Sequence, residues 1–209
     1  VDEVEVKKGT SGPEESSSGK VDFGADETKA KPKVQTQRFT NLDDFNRAAN
    51  SPAPNTRYEY GTYSWETDEL GRVTKAEGKV ALVDHGRVTT DGVTTTTIGN
   101  GPDAKAGDVG FHLIGNQFDG PINKMNVVPG NGKRVAGIDA SNLNQGAYLN
   151  QFENAVKQAE IANPGKVEMK IYSQYNAGNT STRPDSFKAM YRVDGGRWES
   201  YSFIHQPGG

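Results

Sequence analysis

The 209-residue chain has no cysteine, which excludes disulfides and thiolate metal sites. Its fold must hold by packing alone, in either redox compartment. Apolar residues are scarce, at 33%, and mean hydropathy is -0.77, so part of the chain is not expected to join a packed core. No apolar run approaches the length that spans a bilayer, and membrane insertion is not expected. Positive charge is not in excess. The net charge of -3 gives no general attraction for nucleic acid, which leaves a local basic patch to do that work. The motifs G-x-S-x-G and H-E-x-x-H are missing, so serine-hydrolase and zinc-protease readings have no support. The first residues alternate charge with valine and do not resemble a signal peptide. Residue 1 is valine, which suggests a piece cut from a longer chain.

Turn formers are abundant, with 25 glycines and 10 prolines. Residues 1–37 are low in complexity and read as a disordered or linker-like segment. Residues 38–56 read as a short helix capped by Asn41, then a connector. Residues 57–209 read as the main domain. Tyr58, Tyr60, Tyr63 and Trp65 favour strands, and Thr67 to Val73 reads as strand, turn at Leu70-Gly71, and return. Val80 to Val83 is a further short strand candidate, and residues 88–107 read as a loop. Gly110 to Ile114 and Met125 to Val128 are strands joined by a polar connection. Ala147 to Ala162 is the best helix, with Tyr148, Phe152, Val156 and Ala159 at helical spacing as its core face. Lys166 to Tyr175, Ser186 to Val193 and Arg197 to Ile204 alternate as strands, with a hairpin turn at Asp194-Gly195-Gly196. The order of elements predicts an α+β fold.

One histidine, His112, closes the apolar run Asp108-Val109-Gly110-Phe111-His112-Leu113-Ile114-Gly115. Asparagines follow in Asn126-Val127-Val128-Pro129 and Leu143-Asn144-Gln145-Gly146-Ala147-Tyr148, the latter just ahead of the helix. A lone imidazole with neutral amides suits phosphodiester cleavage with one divalent metal. Imidazole, with a reference pKa of roughly 6.5, can take a proton from water near neutral pH. Mg²⁺ keeps several of its own waters and needs few hard oxygen donors from the protein.

These stretches resemble the DNA/RNA non-specific endonucleases, which have a ββα-metal core. The match is nearest to the branch found as C-terminal toxin domains of bacterial polymorphic toxins. It runs from about Tyr58 to about Phe203 and includes Thr67-Asp68-Glu69-Leu70-Gly71-Arg72-Val73, Phe152-Glu153-Asn154 and Arg183-Pro184-Asp185-Ser186-Phe187. Each piece is weak by itself; their order and separations are specific. The resemblance implies a strand-loop-strand-helix core packed on an antiparallel sheet. It implies His112 as the general base, Asn144 as direct metal ligand, and Glu153 as the helix acid holding a metal-bound water. Asn126 falls where an asparagine supports the site without touching the ion, and Asp108 is expected to orient local backbone. The implied cofactor is Mg²⁺, with Mn²⁺ or another divalent ion open. The implied substrate is DNA, with RNA left open, and the implied partner is a cognate immunity protein. The implied setting is delivery from a bacterium, within a larger toxin, into the cytoplasm of a target cell.

The chain departs from the family pattern in three places. Val109 stands where better-known members carry the arginine of D-R-G-H, and Phe111 is an extra residue before the histidine. Arg87 and Arg183, then Arg72, are candidates to supply the missing phosphate-neutralising cation. The separation from Asn144 to Glu153 is one residue longer than in most relatives, and one residue turns a helical side chain by about 100°. Asn142 and Asn150 are therefore kept as substitutes. His85 reads as a surface turn residue and His205 as a solvated one. Gly130-Asn131-Gly132-Lys133-Arg134 fails the P-loop spacing and reads as a basic loop touching the nucleic-acid backbone. The alternative is a non-catalytic, β-rich interaction module with a degenerate nuclease core.

Overall fold

The computed structural model describes residues 33–84, 101–106, 108–132 and 146–206, all within one compact unit. A seven-stranded sheet forms the frame. Its strands are β1 (Gln35–Phe39), β2 (Thr56–Tyr60), β3 (Tyr63–Thr67), β4 (Val73–Lys79), β7 (Val167–Gln174), β8 (Ser186–Val193) and β9 (Glu199–Ile204), side by side in that order. All neighbours are antiparallel except β1 and β2, which are parallel and joined through helix α1 (Leu42–Ala49). Strands β5 (Asp108–His112) and β6 (Val127–Asn131) form a separate antiparallel hairpin. The chain then enters a π-helical turn, Tyr148–Glu153, which runs into helix α2 (Asn154–Ala162).

Alternation explains the two faces of the sheet. Trp65, Ala76, Ile171 and Ala189 pair in one row across β3, β4, β7 and β8, and all four are fully buried. The neighbouring row is Glu66, Lys75, Tyr172 and Lys188, on the opposite face. There Arg57 pairs with Glu59, Glu66 and Glu77, while Lys75 and Lys170 also reach Glu77. The apolar face is covered by α1, the β5–β6 hairpin, and the helical segment.

The hairpin is fixed to this face by mixed contacts. Phe111 stacks on Phe187 of β8 at 4.3 Å between ring centres. The Tyr63 hydroxyl donates to the Phe118 carbonyl at 2.8 Å. The Trp65 indole N–H donates to Asn126 Oδ1 at 3.3 Å. The helical segment buries Tyr148, Phe152 and Val156, the core face its spacing predicts. The turn at Asp194-Gly195 has φ of 51° and 70°, the two positive values a type I′ hairpin requires.

Four expectations are adjusted. The boundary at residue 37 falls inside β1, whose Gln35–Phe39 pairs with Thr56–Tyr60. Residues 38–56, read as a short helix and connector, also contribute to the core. Asn41 does cap α1, accepting from the Asp43 and Asp44 amides, but Phe45 is fully buried against Phe39, Tyr60 and Trp65. The low apolar content of this stretch hid its role, because one phenylalanine does most of the packing. Val80 to Val83 is no strand, although the Val80 amide still bonds to the Val167 carbonyl. His205 is buried, not solvated. Its Nδ1 lies 2.6 Å from the Pro184 carbonyl and its Nε2 accepts from the Asn131 amide at 2.9 Å.

Phe45→Ala is expected to cost about 3–5 kcal/mol, read as a lowered midpoint of a single urea transition. A cost under about 1 kcal/mol would make α1 an appendage.

Candidate active site

His112 ends β5 and is 5% exposed. The backbone immediately after it is held on every side. The Leu113 amide donates to the Asn126 carbonyl at 2.8 Å, and the Tyr148 hydroxyl donates to the Leu113 carbonyl at 2.6 Å. The Asn126 amide group donates to the Ile114 and Pro121 carbonyls at 2.9 and 3.0 Å. Its Oδ1 accepts from the Ile114 amide at 3.0 Å and from Trp65. That makes all four bonds an asparagine side chain can form, in a residue with no exposure. Asn126 therefore joins both ends of the 114–121 segment. Gly120 permits the closure, since a Cβ there would overlap the Ile114 carbonyl oxygen.

Glu153 reaches the same segment from the π-helical turn. Its carboxylate lies against Gly115, where a Cβ would overlap Oε1, and it accepts from the Gln117 amide at 3.2 Å. Gln117 belongs to a short 3₁₀ helix, Asn116–Phe118. The segment that carries Glu153 departs from α-helical hydrogen bonding. The Asn154 amide bonds to the Leu149 carbonyl, five residues back, as in a π-helix. Tyr148, Phe152 and Glu153 are all buried, while Asn150 is exposed.

Asp108 and Arg183 form a buried bidentate pair, Nε to Oδ2 at 2.8 Å and Nη2 to Oδ1 at 3.1 Å. Asp108 also accepts from the Lys105 amide at 2.8 Å. The expectation that Arg183 contacts phosphate loses its support, because its side chain is 8% exposed and engaged with Asp108. Arg72 is engaged too. It pairs with Asp68, lies 4.0 Å over the Tyr175 ring, and donates to the Asn179 carbonyl. Arg87, Asn142, Asn144, His85, Lys133 and Arg134 lie outside the described residues.

Phe111, surplus by motif, is the ring that meets Phe187 and Tyr148. Gln117, Gly115 and the Tyr148 hydroxyl were not singled out from the sequence. Gln117 sits in an ordinary polar turn, and only its proximity to Glu153 marks it. A groove of about 360 Å³ opens elsewhere, on the charged sheet face, lined by Arg57, Glu59, Glu77, Lys170 and Trp198 among others. It includes none of the expected site residues.

Among the described residues, no three histidines or carboxylates gather to hold a metal. Glu153 nonetheless has the character of a sparse hard-oxygen donor. Burial pushes its carboxyl from 4.5 up to about 7, with the Gln117 amide acting in the opposite sense. An adjacent cation would restore the ionised form. His205 is displaced the other way, from 6.5 down to about 4, by burial first and then by the Arg183 charge.

These two groups oppose each other in pH-dependent stability. The unfolded chain protonates His205 near 6.5 and the folded chain only near 4, so this contribution weakens folding as pH falls through that window. The folded chain protonates Glu153 near 7 and the unfolded chain near 4.5, so this contribution is lost as pH rises. Each amounts to about 2 kcal/mol between about pH 7 and 5. In EDTA, Glu153→Gln is expected to lose about that much stability on acidification across this range, and His205→Gln to gain it. Urea titrations at the two pH values check both; equal pH slopes in the two variants would contradict the assignment.

A family model for the DNA/RNA non-specific endonucleases matches residues 54–195, more than half of the chain. The crystal structure of NucA from Streptococcus agalactiae with no metal bound is also similar, at 15% identity, covering 69% of this chain and 70% of that one, with a TM-score of 0.44. The hairpin β5–β6, followed by the helical segment and set on the antiparallel sheet, is the strand-strand-helix arrangement of a ββα-metal nuclease fold. The chain belongs to the DNA/RNA non-specific endonuclease family.

Proposed function

We propose that this protein is a metal-dependent endonuclease that cleaves DNA without sequence preference, with RNA as a second substrate to be tested. The observation that carries the reading is the fixed end of β5: His112 is followed by two peptides locked by Asn126 and Tyr148, with the Glu153 carboxylate against Gly115. His112 takes a proton from the attacking water. Asn144 and Glu153 are the residues that would hold a divalent ion, Asn144 directly and Glu153 through water. When bound, Mg²⁺ supplies positive charge that stabilises the phosphate and its leaving oxygen. Glu153 suits such a site because its burial disfavours the charged form until a cation arrives. With Arg72 and Arg183 engaged elsewhere, Arg87 is the remaining named candidate for phosphate contact.

The resemblance noted above extends the proposal to biology. The domain acts as the toxin end of a larger bacterial protein, enters the cytoplasm of a target cell, and is blocked by a cognate immunity protein. No described helix is long and apolar enough to cross a membrane.

Plasmid DNA and linear RNA incubated with the protein, with and without EDTA, test the activity. Chelator-sensitive loss of DNA is expected, and His112→Ala should abolish it; wild-type rates in His112→Ala would sink the mechanism. Intact substrates in every divalent metal would favour a non-catalytic binding module. Gly115→Ala separates site geometry from stability. The added methyl displaces the flexible end of Glu153 and not backbone, so Tm should stay within a few degrees while the rate falls about tenfold or more. An unchanged rate would remove Glu153 from the site.

A further inference from the structure

The family match begins at residue 54, so β1 and α1 precede it. They are nevertheless connected to the candidate site by a chain of buried amides. Asn46 of α1 is 7% exposed, and Asn123 and Asn126 are not exposed at all. Asn123 Nδ2 donates to Asn46 Oδ1 at 2.8 Å. Asn123 Oδ1 accepts from the Met125 and Asn126 amides at 3.0 and 3.2 Å, and its carbonyl accepts from the Asn126 and Val127 amides at 3.1 and 2.9 Å. Asn126 then holds Ile114, two residues past His112. Close by, Asn50 Oδ1 accepts from the Lys124 amide at 3.1 Å, a second tie between the end of α1 and the same turn.

We infer that Asn46 and Asn123 are positioning residues for the nuclease reaction, and that the β1–α1 unit is a working part of the catalytic apparatus. The inference rests on the reading of His112 as the general base. Each Asn123 bond fixes one degree of freedom of the turn that presents Asn126. The Asn46 oxygen sets the orientation of the Asn123 amide, and so directs the Asn123 Oδ1 toward the Met125 and Asn126 N–H groups. A connected, satisfied polar network of this kind holds one geometry where apolar packing tolerates several. Asn46 Nδ2, in contrast, finds no acceptor among the described residues. An apolar residue there would avoid that burden, which points to the oxygen as what the position requires.

The test uses the whole chain with Trp198→Phe as background, leaving Trp65, whose indole donates to Asn126, as the sole tryptophan. Steady-state cleavage of plasmid DNA, Tm, and Trp65 emission are measured for Asn46→Leu and Asn46→Asp. Asn46→Leu should lower kcat about tenfold, with KM within about twofold, a Tm lowered by a few degrees because the Asn123 amide loses its acceptor, and a shifted Trp65 emission. Asn46→Asp keeps the acceptor oxygen and should recover both rate and emission. If Asn46→Leu does not fold, Asn46→Ser, whose hydroxyl is too short to reach Asn123, replaces it. Parental kcat in the leucine or serine variant overturns the inference, as does a loss that the aspartate variant fails to rescue. His112→Ala is run in parallel. If it is inactive while Asn46→Leu is fully active, only the positioning role falls. If it is fully active, the reading of the site falls as well.

Discussion

The Asn126 side chain is the interaction on which the candidate site depends. It closes the 114–121 segment, ties that segment to Trp65 in the sheet, and fixes the backbone directly beyond His112. Both of its functions are needed at once, since the nitrogen serves two carbonyls and the oxygen serves two N–H groups. Aspartate could not replace it, because one oxygen would face two carbonyl lone pairs. A hydrophobic residue of similar size would leave four buried backbone or indole groups short of one partner each. The backbone around His112 is therefore fixed by bonds of known direction.

Many of the charged side chains among the described residues are paired. Asp108 and Arg183 neutralise each other beside the hairpin, Arg72 is pinned between Asp68 and Tyr175, and the outer sheet face pairs its lysines and Arg57 with glutamates. Glu153 is different, a buried carboxylate whose hydrogen-bond donor is the neutral Gln117 amide. A group held in that state weakens the folded protein at neutral pH. Such a cost is understandable under the proposed function, in which the carboxylate has a cation to meet.

Much of the frame was legible because its periods are clean. The strands from Val167 onward alternate and are punctuated by Asp194-Gly195, and Asn41 signals its helix by a side chain that can only act there. The motif order was enough to identify the hairpin and the helix that carry His112 and Glu153. What the sequence concealed was pairing over distance. Nothing near Arg183 indicates that Asp108, 75 residues away, will engage its guanidinium. Nothing near His205 indicates that its ring will be buried between Pro184 and Asn131. The β1–α1 unit was set aside for the same reason. Its composition is polar, yet Phe45 packs on the sheet and two asparagines, Asn46 and Asn50, bond to the turn at residues 123–124.

The π-helical turn shows how an apparent misfit in the sequence is resolved by local geometry. In an α-helix a residue five positions beyond Tyr148 points about 140° away from it, so Glu153 would leave the face that packs on the hairpin. In a π turn five positions close roughly one full turn, and Glu153 is buried along with Tyr148 and Phe152. The helix beyond keeps its register, since Val156 is also buried. A π turn is rare, occurs mostly as a single turn within an α-helix, and is frequent at functional sites. Its presence immediately before α2 therefore accounts for the burial of Glu153 on the face that also carries Tyr148 and Phe152.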